Sequence, residues 1–100
     1  MLVELSGRTF TLRASLGAWR KFEQNTGVKV ANIDQTDVTR IPELAYYFAE
    51  AGAKANGHTW DLTADDFLEL CTIADLETLT QAVAALLGGD QKKSAGKAKP

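Results

Sequence analysis

The stretch Leu12–Gly27, LRASLGAWRKFEQNTG, decides how the rest of the chain is read. It sets Trp19 and Phe22 around the basic pair Arg20 and Lys21, which suits either an aromatic and cationic surface for nucleic acid or a helix of the core. Ser15 is an N-cap residue, and at "NTG" Gly27 can take the left-handed conformation that closes a helix. Wound at about 100° per residue, Leu16, Trp19, Phe22 and Thr26 fall in one stripe, Arg20 lies at its edge and Lys21 faces nearly the other way. A stacking platform needs aromatics and cations on one exposed face, and this helix separates them. Glu23 lies inside the stripe and repels a phosphate. The stretch therefore reads as a core helix.

Upstream, "MLVEL" and "RTFTL" are strand-like runs on either side of Ser6 and Gly7, a turn-forming pair. A two-residue loop pairs Val3 with Phe10 and Met1 with Leu12. It also places Met1, Val3, Leu5, Phe10 and Leu12 on one face, with only Leu2 breaking the alternation. Such a hairpin is marginal alone and must lie against helices.

Downstream, residues 28 to 39 form a connector that Val28, Val30 and Ile33 can pin to the core. A second helix runs from about Thr39 to Asn56, with Pro42 in its first turn and Gly57 past its end. Its expected buried stripe is Ile41, Leu44, Ala45, Phe48, Ala51, Gly52 and Ala55, the small residues allowing close approach, and Tyr46 is left on the opposite side. "GHTWDLT" is a loop leading to a third helix capped by Thr63 with Asp66, whose inner face is Phe67, Leu68, Cys71 and Ala74. A fourth helix begins near Asp75, presents Leu76, Leu79, Val83, Leu86 and Leu87, and stops at Gly88 and Gly89. The expected fold is mainly α: an N-terminal β-hairpin and about four helices in a small bundle over residues 1–89. The Lys-rich tail, residues 90–100, has no large apolar residue and is expected to be disordered.

A chain of 100 residues with 45% hydrophobic and 24% charged content suits one small domain. Neither a secretory leader nor a membrane-spanning run is expected. Residues 1–89 carry seven Lys and Arg against twelve Asp and Glu, whereas residues 90–100 carry four Lys against Asp90. An acidic body repels phosphate backbones, so nucleic acid is not an expected partner.

No chemistry-bearing constellation emerges. Cys71 is the only cysteine and His58 the only histidine, so neither has the partners that zinc requires, and each reads as a packing residue. Asp61, Asp65, Asp66 and Glu69 cluster near the third helix, where carboxylates in a first turn meet the helix dipole favourably. They lack the alternating ligands and central Gly of a calcium loop. "GG" at 88–89 follows a helix rather than opening one, so it is no phosphate cradle. The chain is expected to be no enzyme, with no catalytic, cofactor or metal residues.

The pattern GRTFTLRASLGAWRKFEQNTGV, Gly7–Val28, resembles the N-terminal signature of tail assembly chaperones of long-tailed bacteriophages and related prophages. The matching positions are Gly7, Phe10, Leu12, Arg13, Leu16, Phe22, Glu23, Thr26 and Gly27. The likeness is confined to roughly the first third of the chain, and beyond it rests on length and layout. It implies a virion-assembly factor in the bacterial cytoplasm that keeps the tape-measure protein soluble and helps tail-tube protein polymerise around it. Genes of this family are often read in two forms through a ribosomal frameshift, for which Gly88-Gly89 and Lys92-Lys93 are the candidate positions.

The candidate partner-binding residues are Tyr46, the alanines Ala84 and Ala85 lying off the leucine stripe, and Lys92 and Lys93 in the tail. Small residues on amphipathic helices also suit self-association. The alternatives are a structural tail-completion or connector protein, which persists in virions, and a small helical DNA-binding regulator, which needs exposed cations on a recognition helix.

Overall fold

Backbone chirality sets the first element. In the computed structural model, which describes residues 1–33 and 37–88, Ser6 (φ 52°) and Gly7 (φ 79°) both lie in the left-handed region. Positive φ at both central residues marks the hairpin turn whose twist matches its strands. β1 (Leu2–Leu5) and β2 (Arg8–Thr11) accordingly pair antiparallel, with Val3 opposite Phe10 and Leu5 opposite Arg8. Val3, Leu5, Phe10 and Leu12 are buried. Met1 departs from the expected face. Its backbone closes the ladder, with its carbonyl accepting from Leu12 N–H at 2.7 Å, but at the ladder's end its side chain stays 49% exposed.

α1 (Leu16–Thr26) starts where Ser15 Oγ accepts from Ala18 N–H and ends at Gly27, φ 74°. Its buried line is Ala18 and Phe22, one turn apart, with Trp19 half-buried. Leu16, expected in this stripe, is 83% exposed, because it sits well round the helix from the Ala18–Phe22 line. The connector carries a 3₁₀ turn at Val30–Asn32 and is pinned by buried Val30 and half-buried Val28 and Ile33.

α2 (Arg40–Ala55) is the hub and packs against α1, β2, α3 and α4. Ile41, Leu44, Ala45, Phe48 and Gly52 are buried as the periodicity requires, and Pro42 and Ala49 join them. Ala55 is exposed instead, since it lies in the last turn, beyond the covering elements. Gly52 faces the end of β2: a Cβ there would fall onto the Thr11 carbonyl oxygen and within 2.7 Å of its carbon. The chain leaving β2 is fixed to the same helix, Arg13 N–H donating to Phe48 O at 3.0 Å.

α3 (Ala64–Leu70) and α4 (Ile73–Leu86) each open on a complete capping box, Thr63 with Asp66 and Thr72 with Asp75. The second box starts α4 two residues before the expected Asp75, which is its third helical residue, and leaves Ala74 exposed rather than inward. Phe67, Leu79, Ala82 and Val83 complete one shared core, with Leu86 half-buried and Leu87 exposed. No helix among the described residues is long and apolar enough to cross a membrane. The architecture is thus an N-terminal hairpin followed by four helices. The expected tail, with Lys92 and Lys93, lies outside the described residues.

Candidate functional site

Two extended residues help to create an apolar concavity. Cys71 (ψ 136°) and Thr72 (ψ 171°) join α3 directly to α4 without a loop long enough to fold back over either helix. Leu68 on α3 and Ile73 and Leu76 on α4 therefore face Val38 and Pro42 at the start of α2 across a groove of about 400 Å³, with Cys71 also in its wall. Among the described residues, no charged side chain lines it. Two of its walls stand out in solvent, Val38 at 56% and Ile73 at 87% exposure. Such a surface suits the apolar stripe of a partner helix, read at i, i+3 and i+4 positions.

The hairpin turn fixes the corner beneath this groove. Ser6 Oγ donates to Leu70 O at 2.6 Å and lies 3.3 Å from Asp75 Oδ2. The Asp75 carboxyl is held below the usual carboxylate range, first by Thr72 N–H at 3.0 Å and further by the Ser6 hydroxyl. Burial, with the Asp75 charge nearby, pushes the Cys71 thiol up to about 11. Cys71 is therefore a protonated packing group at neutral pH, without the thiolate that nucleophilic chemistry uses.

A second, wider cleft of about 560 Å³ separates α1 from the C-terminal half of α2, and its lining includes Arg13, Lys21, Lys54 and Glu50. Glu50 takes Lys21 at 3.5 Å and Lys54 at 3.9 Å, so two lysines share one carboxylate. Exposed ion pairs of this kind are weak and salt-sensitive.

Tyr46 is not the exposed residue that its helical position suggests. Its hydroxyl donates to Leu62 O at 2.9 Å, and its ring packs against Tyr47, Trp60 and Phe67 with centroids 4.9–5.9 Å away. The loop before α3 folds over this side of α2 and makes Tyr46 part of an internal aromatic cluster. Ala84 and Ala85 are half-buried on α4. His58 is exposed, its backbone N–H donating to Ala53 O at 2.8 Å. Asp66 is committed to its capping box, and the described residues contain no group of three or more His, Cys, Asp or Glu able to hold a metal ion.

Glu23 has a structural role that its place among aromatics did not reveal. Its Oε2 accepts from Val30 N–H and from the Trp19 indole, each at 3.0 Å, and Lys29 stands 3.8 Å from Oε1. The Val30 N–H first, then the indole and Lys29, hold this carboxyl below the usual Glu range. Sequence reasoning also missed the groove, because Val38 lies in an aperiodic connector and Ile73 falls at the end of the expected third helix, off its inner face, rather than at the start of α4. The Thr-x-x-Asp spacing at Thr72–Asp75 was the available signal. The chain matches no protein-family model, no curated protein and no solved structure.

Proposed function

We propose that this protein is a non-catalytic tail assembly chaperone of a long-tailed phage or prophage. It holds the tape-measure protein soluble in the bacterial cytoplasm and assists tail-tube polymerisation around it. The observation that carries the chaperone reading is the uncharged groove between α2, α3 and α4, with Val38 and Ile73 projecting beside it. A long helical client aggregates through its apolar stripe, and covering that stripe needs a concave apolar surface on a small, stable body. The resemblance across Gly7–Gly27 supports the choice of client. Of its nine positions, Gly7, Phe10, Leu12, Phe22, Glu23, Thr26 and Gly27 have structural duties, while the side chains of Arg13 and Leu16 are exposed.

Co-expression with the tape-measure gene of the same locus tests this reading. The expected outcome is a larger soluble fraction of tape-measure protein and a joint peak on a sizing column. No increase and no complex would refute it. A chaperone is also absent from purified virions, where a tail-completion or connector protein would remain.

A further inference from the structure

We infer that the groove between α2, α3 and α4 selects a basic amphipathic helix, one whose apolar stripe is flanked by Lys and Arg; that the tape-measure protein supplies it rests on the chaperone reading above. Charge carries the argument. From Ala55 to Gln91 the sequence contains no Lys or Arg, and this span builds both α3 and α4. Up to Gly88 it carries Asp61, Asp65, Asp66, Glu69, Asp75 and Glu77. Glu69 directly follows Leu68 of the groove, Glu77 lies one turn along α4 from Ile73, and both are exposed. None of these carboxylates forms an ion pair with a Lys or Arg among the described residues. Arg40, the cation beside the start of α2, is engaged by Glu43 at 2.8 Å. The groove is thus an uncharged floor beside uncompensated negative charge, which attracts a cationic flank and repels an acidic one.

The chain's own tail is a poor occupant, because residues 89–100 carry lysines but no apolar side chain larger than Ala and Pro. The rival occupant is a second copy presenting exposed Leu16 beside Arg13 and Arg20.

The test titrates the full chain into three labelled synthetic helices of one length: a Leu/Lys amphipathic peptide, its Leu/Glu counterpart, and a Ser/Lys peptide of unchanged charge. Fluorescence anisotropy is expected to show saturable binding of Leu/Lys, with Leu/Glu and Ser/Lys each at least about tenfold weaker. Ile73→Ser is expected to lower Leu/Lys affinity about tenfold with an unchanged circular dichroism melt, since it removes an exposed apolar contact. Glu69→Gln with Glu77→Gln is expected to weaken binding and flatten its salt dependence.

Equal binding of Leu/Lys and Leu/Glu, equal binding of Ser/Lys, no binding of any peptide, or indifference to Ile73→Ser would each overturn the inference. So would sedimentation showing self-association that Ile73→Ser abolishes, which would give the groove to a second copy. The two readings fail separately. Binding of Leu/Lys without solubilisation of the tape-measure protein refutes the chaperone alone, and solubilisation that ignores Ile73→Ser refutes the groove alone.

Discussion

Gly52 shows how a single missing side chain positions a strand against a helix. Its spacing marked a small residue for close approach, but the partner is the Thr11 carbonyl of the hairpin rather than another helix. Backbone cannot yield as a flexible side chain can, so Gly52→Ala is expected to destabilise the protein by about 3 kcal/mol or more, read as a lowered urea midpoint. At the same scale, Glu23 and Asp75 make stability depend on pH. Both carboxyls sit below their ordinary values near 4.5 and 3.8, so their contribution is complete above those values. It is lost progressively as pH falls from there through the depressed folded-state values. Urea midpoints measured from pH 7 to pH 3 should fall on the acid side, and Glu23→Gln with Asp75→Asn should flatten that fall.

Elements whose signals are local were legible. The Ser6–Gly7 turn, the Ser15 cap, the Gly27 stop and the Thr63 box each depend on two to four neighbouring residues, and each forms as the sequence specifies. What failed was settled by distant chain. Tyr46 looked exposed because its cover is a loop sixteen residues away, and Leu16 looked buried because periodicity gives a stripe but not which edge of it meets a neighbour. The groove was illegible for the same reason, since it exists only where α2, α3 and α4 meet. The Thr72 cap governs that meeting. Thr72→Ala is expected to cost about 1 kcal/mol and to speed amide exchange at the first turn of α4, because its hydroxyl satisfies Asp75 N–H.

Across the whole molecule, charge is partitioned along the chain. Up to Lys54 there are seven Lys and Arg against six Asp and Glu, and from Ala55 to Gly88 there are none against six. The cations thus gather on the part that includes the α1–α2 cleft, while α3 and α4 are purely acidic. A chain ending at Gly88 is therefore expected to show no salt-dependent retention on immobilised DNA. Retention that falls steeply with salt would restore the regulator reading.

The Ser6 hydroxyl touches Leu70 and Asp75, more than sixty residues later, and β1 packs on α4. β1 thus depends for its burial on a helix synthesised more than sixty residues after it. Until that helix emerges, Val3 and Leu5 lack their final cover, and closing so long a loop must precede the contacts that reward it. Folding of this domain is consequently completed only once α4 has emerged, and nascent chains stalled before α4 should be readily cleaved by protease.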